Sequence, residues 1–142
     1  MGLSELRLIK HCVEFRPQEE LHNLRRLVRG IYVLYKYREE NKRYDVVYIG
    51  MAGGEKKAGI GGRLRAHARN KPGEWTHFSA FEVWDNIREE EIRELEGILR
   101  HIFRKDSHAN KLGIQKSFKM LSKLRRETKK KMERSKPTAG GQ

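Results

Sequence analysis

A single glutamate lies beside the apolar stripe of a predicted helix, which is an unusual position for a carboxylate. The helical neighbours of Glu96 at i−4 and i+3 are Ile92 and Leu99. A carboxylate that is packed against apolar side chains destabilises the fold unless a partner compensates its charge. That partner is either a bound cation or Arg100, one turn further on, which would form an ordinary helical salt bridge. The adjacent Gly97 is a poor helix former and indicates close approach by another backbone or by a ligand.

Two further pairs of residues have side chains that suit a reaction at phosphate. Arg63 and His67 lie four residues apart, so they share one face if the segment is helical. Arginine offers a fork of donors that matches phosphate, and histidine can transfer a proton near neutral pH. Tyr32 and Tyr48 each lie in a short β-rich run, where a buried tyrosine with a hydrogen-bonded hydroxyl is ordinary. Taken separately, both pairs also fit an exposed helix face and plain core packing.

Several other classes of site are excluded by the motifs. The six histidines and the lone Cys12 form no paired-cysteine or His-Glu-x-x-His pattern, so the common zinc motifs are missing. The segment 54–61 has the glycine spacing of a phosphate-binding loop, but Ile60 and Gly61 stand where that loop requires lysine and a hydroxyl residue. A dinucleotide fingerprint and a serine nucleophile elbow are also missing from the sequence.

The elements that must position these residues are read from hydrophobic periodicity. Strands are predicted at residues 30–35, 46–50 and 77–84, and helices at 63–70, 86–104 and from about 114 to 124. The first thirty residues are predicted to be mainly helical, although 6–15 fits either a helix or a strand. We therefore expect an α+β fold, a small α/β sandwich in which a three-stranded antiparallel sheet is flanked by helices.

The strand tyrosines belong to two triplets that together form a recognisable signature. Gly30-Ile31-Tyr32 is followed by Tyr48-Ile49-Gly50, with sixteen residues from one tyrosine to the other. Arg63-Leu64-x-x-His67, Glu96 and Asn110 then follow in order. In this pattern the chain resembles the GIY-YIG nucleases over about residues 30–112. The resemblance implies an N-terminal helical segment at 1–29, a GIY-YIG nuclease domain at 30–112, and a basic C-terminal helix and tail at 113–142.

The resemblance also implies a metal-dependent mechanism. Glu96 would bind one divalent cation, Mg²⁺ or Mn²⁺, and Arg63 would stabilise the charge that develops on the scissile phosphate. One of the two strand tyrosines would orient or deprotonate the attacking water with help from His67, because a tyrosine of ordinary pKa is a poor base near neutral pH. The predicted catalytic residues are Tyr32, Tyr48, Arg63, His67, Glu96 and Asn110, with Asn110 fixing the site through hydrogen bonds. His77, at the start of its strand, is a secondary candidate.

The charge of the chain indicates a polyanionic partner, which the resemblance makes DNA. The net charge is +13 and the pI is about 10.1. From Lys111 onward there are eleven lysines and arginines against only Glu127 and Glu133. Cations that contact phosphates release condensed counterions, so this tail is expected to contribute affinity. A non-cleaving nucleic-acid-binding module of the same fold, and an RNA-binding protein explained by charge alone, are the alternative functions.

The remaining expectations concern the compartment and the assembly. No apolar run approaches the roughly 20 residues that a bilayer-spanning helix needs, so no membrane span is predicted. Cys12 is the single cysteine, so no disulfide framework is predicted and a cytoplasmic or nucleoid-associated protein is expected. The sequence leaves open whether the protein is a monomer or a transient dimer on DNA.

Overall fold

The fold is built from strands and helices arranged around one central sheet. The computed structural model describes residues 4–23, 29–53, 59–104 and 118–135, which form an α+β arrangement of one four-stranded sheet and three α-helices. The elements are β1 (Ile9–Pro17), β2 (Gly30–Arg38), β3 (Arg43–Ala52), α1 (Ile60–Asn70), β4 (His77–Val83), α2 (Glu89–Phe103) and α3 (Lys119–Ser135). A short 3₁₀ helix, Gln18–Asn23, follows β1.

The strands are antiparallel throughout, in the spatial order β1-β4-β2-β3. In the β2–β3 hairpin, Tyr32 is paired with Gly50 and Leu34 with Tyr48. A register irregularity follows Leu34, so Val47 is an additional residue on β3. The pairing places the two signature triplets side by side, with both tyrosines near the same end of the hairpin.

The prediction of three strands and of a helical segment at 1–29 is wrong. Ile9–Pro17 forms β1, which is hydrogen-bonded to the edge of β4 with Ile9 opposite Val83 and Val13 opposite Ala80. The added strand provides backbone partners for an edge of β4 that a three-stranded sheet would leave unpaired. Of the leucines with helical spacing, Leu21 is buried in the core, whereas those at 24 and 27 lie outside the described residues.

Each face of the sheet carries a separate apolar cluster covered by a different helix. On one face, α1 packs against the strands through Ile60 and Leu64, and Trp75 is buried beside them. On the other face, α2 packs through Ile92, with Leu95 and Leu99 at the margin. Neighbouring strand residues contribute to opposite clusters, as the period of a strand requires. The helices that carry the catalytic candidates, α1 and α2, therefore pack against the hairpin through different apolar clusters.

The last helix is longer than the sequence indicates. The predicted helix ended near Leu124, but α3 continues through the basic run to Ser135. Lysine, arginine and glutamate are good helix formers, so the run needs no apolar period to remain helical. The side chains from Lys123 to Glu133 are all exposed. None of the described helices is both long and apolar enough to cross a bilayer.

Candidate active site

A hydrogen bond between two distant parts of the chain forms the centre of the candidate site. The Tyr32 hydroxyl on β2 lies 3.1 Å from Nε2 of His67 on α1. The Tyr32 side chain is only 2% exposed, whereas His67 is partly exposed at the margin of the apolar cluster. Burial of Leu64 beneath α1 fixes the face of the helix on which His67 stands. Of the pair predicted from sequence spacing, His67 thus contacts the strand tyrosine directly.

Gly50 provides the space that the Tyr32 ring occupies. A Cβ atom at position 50 would lie 2.5 Å from both Cζ and the hydroxyl oxygen of Tyr32, and 2.9 Å from Cε1 of Tyr48. Distances this short require the tyrosine rings to move. The glycine of the second triplet therefore belongs to the site because it allows the Tyr32 hydroxyl to pass over the backbone of β3.

Replacing Gly50 by alanine tests this packing directly. We expect Gly50→Ala to displace the Tyr32 ring and to lower the free energy of unfolding by about 1–3 kcal/mol, the usual cost of overpacking a core. Thermal or denaturant unfolding measures the effect. The matched control is Gly50→Ala in a Tyr32→Ala background, where the ring that clashes is gone and the cost should largely vanish. An equal cost in both backgrounds would contradict the account.

Tyr48 completes an aromatic group around the imidazole. Its ring centroid lies 4.8 Å from that of His67 and 6.1 Å from that of Tyr32. The Tyr32 and His67 centroids are 5.7 Å apart. All three rings are tilted relative to one another rather than stacked in parallel. This arrangement holds the imidazole edge toward the Tyr32 hydroxyl and leaves Tyr48 beside the same pair.

Glu96 enters the site from α2 with Arg100 as its protein partner. One carboxylate oxygen, Oε1, lies 3.4 Å from Nη1 of Arg100, and the Glu96 side chain is 13% exposed. Nε of Arg100 is buried without a hydrogen-bond partner among the described residues. The ordinary salt bridge weighed in the sequence is therefore present, but it is mostly shielded from solvent. The second carboxylate oxygen of Glu96 takes no part in this ion pair.

Arg63 stands on the exposed side of α1 near the aromatic group. Its positive charge lowers the pKa of both strand tyrosines and of His67. Glu96 has the opposite effect on the two tyrosines. These mutual effects place the cation and the carboxylate within electrostatic reach of the same hydroxyls. An exposed guanidinium at this position is free to bind a group that arrives from solvent.

The protonation states of the central pair follow from burial. Burial raises the pKa of Tyr32 well above its usual range, and the neighbouring Tyr48 raises it further. Burial lowers the pKa of His67, and the cationic Arg63 and Lys71 act in the same direction. Near pH 7 both groups are therefore neutral, so the hydrogen bond between the Tyr32 hydroxyl and Nε2 of His67 joins two uncharged side chains, and its direction depends on the tautomer of the imidazole.

The pKa of the Glu96 carboxyl is raised by burial, while Arg100 and Arg93 partly offset that effect. Tyr48 behaves like Tyr32, since burial raises its pKa and the Glu96 charge raises it further. A second cation near Glu96 would favour the ionised carboxylate and act against the effect of burial. The electrostatics of the site are thus suited to receive positive charge.

The donor set fits a hydrated divalent cation bound through one protein carboxylate. Within the described ranges, no group of three histidine, cysteine, aspartate or glutamate side chains is arranged to hold a metal ion. Mg²⁺ does not need such a group, because it is commonly bound by one or two carboxylates together with waters and substrate phosphates. Glu96 supplies one half-buried carboxylate beside polar hydroxyls.

Of the six predicted residues, three are in direct contact, Tyr32, Tyr48 and His67, and two, Arg63 and Glu96, lie within electrostatic reach of the two tyrosines. Asn110 lies outside the described residues. The secondary candidate His77 is elsewhere, since its ring packs against Tyr37 and Tyr44. The sequence did not predict that Gly50 provides space for the Tyr32 ring or that Nε of Arg100 is buried. For Gly50, its place in the second triplet was the available signal.

Comparison with known proteins adds no relative to this geometry. The chain matches no protein-family model, and no curated protein or solved structure was found to match it.

Proposed function

We propose that this protein is a GIY-YIG-type endonuclease that hydrolyses phosphodiester bonds of DNA with a divalent cation. The observation that carries the proposal is the hydrogen bond between Tyr32 and His67, with Arg63 and Glu96 within electrostatic reach of it. A proton acceptor, a fork of phosphate donors and a carboxylate are thus contributed to one site by three separate elements. A basic chain of net charge +13 supports a polyanionic substrate.

The central pair of residues moves a proton away from the attacking water. Free Tyr32 phenolate is scarce at neutral pH because burial raises its pKa. Tyr32 therefore accepts the water proton at its hydroxyl oxygen while its own proton passes to Nε2 of His67, 3.1 Å away. The water oxygen forms the new bond to phosphorus, and the bond from phosphorus to the leaving sugar oxygen breaks. The leaving sugar oxygen takes a proton from bulk water, and His67 returns the transferred proton to solvent after product release.

The charged residues act on the phosphate. Arg63 is exposed toward solvent and donates to the phosphate oxygens on which negative charge builds up. Glu96 would hold Mg²⁺ or Mn²⁺, which would supply positive charge to the phosphate. Arg100 keeps the Glu96 carboxylate in place through the ion pair between Nη1 and Oε1. A DNA substrate accords with a cytoplasmic or nucleoid-associated protein.

Incubation with supercoiled plasmid tests the proposed reaction. The purified protein should convert the plasmid to nicked or linear DNA in Mg²⁺ and should leave it intact in EDTA. Binding to a labelled duplex is measured in the same samples. DNA that is bound but uncut in both conditions would support the alternative, a non-cleaving binding module, and refute the nuclease proposal.

The proposed proton path predicts the acid side of the pH profile. His67 must be neutral to accept a proton, and its folded pKa is lowered below the ordinary 6.5. The rate should therefore hold as pH falls to about 6.5 and decline below it. His67→Gln should lower the rate by roughly 10²–10⁴-fold and remove that decline, because glutamine does not titrate.

The matched control for this prediction is His22→Gln, a substitution of an exposed histidine in the 3₁₀ helix. It should leave the rate and the profile of the wild type unchanged. If the rate of His67→Gln still declines at low pH, the titration belongs to another group.

A further inference from the structure

The start of α3 is fixed against the helix that carries Glu96. A Cβ atom at Gly97 would lie 2.8–3.0 Å from three ring carbons of Phe118, so the aromatic ring rests directly on the glycine. The backbone N–H of Phe118 also donates to Nδ1 of His101, at 3.2 Å. The close approach that Gly97 indicated in the sequence is therefore made by an aromatic side chain. These contacts attach α3 to α2 one residue from the catalytic candidate.

α3 has two different faces. Its apolar side chains follow one stripe, Leu121, Leu124, Thr128 and Met132. Lys119, Lys123, Arg126 and Lys130 recur at intervals of four, three and four residues, which places them in one row on the opposite face of the helix. We call this row the basic stripe. Of the two acidic residues of α3, Glu127 lies outside this row, whereas Glu133, three residues after Lys130, continues it at its C-terminal end.

The cations of the basic stripe remain available to a partner. All four side chains are exposed. The ion pairs formed within the described ranges lie elsewhere in the fold, and none of them involves these residues. A row of four exposed cations complements a regular array of phosphates, because each contact releases a condensed counterion.

We propose that α3 is a DNA-binding arm whose basic stripe holds the phosphate backbone to one side of the scissile bond, with the Phe118–Gly97 contact setting its origin beside Glu96. The inference rests on the proposed function, since it assumes that the substrate cut at Glu96 is DNA. A helix of 17 residues is about 25 Å long, which corresponds to roughly seven base pairs of duplex. The arm therefore extends the contact well beyond the reacting phosphate.

The salt dependence of binding tests the basic stripe. Binding of a labelled duplex is measured in EDTA over about 50–200 mM salt, for the full chain and for Lys123→Gln/Arg126→Gln/Lys130→Gln. The triple variant should weaken binding roughly 100-fold at low salt and make the slope of log affinity against log salt shallower by about three. The matched control is Arg7→Gln/Lys10→Gln/Lys42→Gln, which removes the same charge far from α3 and should keep the wild-type slope.

Phe118→Ala tests the anchor separately from the charge. The cations are unchanged, so the slope should match the wild type, while affinity should fall about tenfold because the arm is no longer held in place. Phe118→Leu keeps an apolar contact with Gly97 and should restore most of the affinity. An unchanged thermal unfolding midpoint in Phe118→Ala excludes a general loss of folding as the cause.

Two results would overturn the arm. One is a wild-type salt slope in the stripe variant. The other is that the stripe variant loses binding to anionic phospholipid vesicles but keeps its binding to DNA, which would make α3 a membrane-surface helix. Because binding is measured in EDTA, the outcome is independent of cutting. DNA binding that depends on the basic stripe, without any nicking, would refute the nuclease proposal and support the arm. Nicking by a protein whose salt slope does not change in the stripe variant would support the nuclease proposal and refute the arm.

Discussion

Arg63→Ala is expected to lower kcat by about 100-fold or more while KM changes little. The guanidinium is exposed at the margin of the aromatic group, and its charge acts on Tyr32, Tyr48 and His67. In the proposed reaction it stabilises charge that is present in the transition state and weaker in the bound substrate. Its loss therefore raises the barrier more than it weakens binding. Arg63→Lys should restore little, because one ammonium group cannot reproduce the fork of donors.

Steady-state nicking kinetics check this prediction, with Arg65→Ala as the matched control. Arg65 is an exposed arginine two residues along α1 and points to a different side of the helix. Its removal subtracts the same charge and should leave kcat near the wild-type value. A raised KM with unchanged kcat in Arg63→Ala would make Arg63 an ordinary phosphate contact instead.

Glu96→Gln is expected to abolish cutting at every Mg²⁺ concentration that supports the wild type. The amide has the volume of the carboxylate but lacks the anionic oxygen that a hard cation requires. DNA binding should persist, because the basic surface is untouched. Glu94→Gln, an exposed substitution on the same helix, is the matched control and should cut normally.

The stability of the Glu96→Gln protein shows whether its loss of cutting has a structural cause. Burial raises the folded pKa of Glu96 above its ordinary value. Ionisation of this group therefore destabilises the fold as pH rises from the unfolded pKa through the folded pKa. The substitution removes this cost at neutral pH but leaves Arg100 without its partner. The two effects oppose each other, and the free energy of unfolding should change by less than about 1 kcal/mol. Denaturant unfolding at pH 7 without metal gives the value.

The parts of the fold with a strong period could be predicted from the sequence. The hairpin strands, β4 and α2 each bury one regular row of apolar residues, and their positions agree with the periodicity. β1 has no such row. It is an edge strand with mostly exposed side chains and two register irregularities, at Ile9–His11 and Val13–Arg16, which erase the alternation. Its formation depends on the free edge of β4, which local sequence does not report.

The candidate site, like the fold, could be predicted only in part from the sequence. The resemblance to the GIY-YIG signature, and not any one residue pair taken separately, predicted a group containing Tyr32, His67 and Glu96. The contacts within the group are long-range, as with the 35 residues between Tyr32 and His67. Sequence spacing alone does not determine that the Tyr32 hydroxyl meets Nε2. Nor does it show that the ring of Phe118 fills the space above Gly97.

The most direct test of the account compares wild-type protein and Glu96→Gln on one supercoiled plasmid across a Mg²⁺ series. Affinity for a labelled duplex is measured on the same preparations. The account predicts Mg²⁺-dependent nicking by the wild type, none by the variant, and equal affinity for the duplex. Nicking by Glu96→Gln at the wild-type rate would contradict the assignment of Glu96 as metal ligand and, with it, the proposed active site.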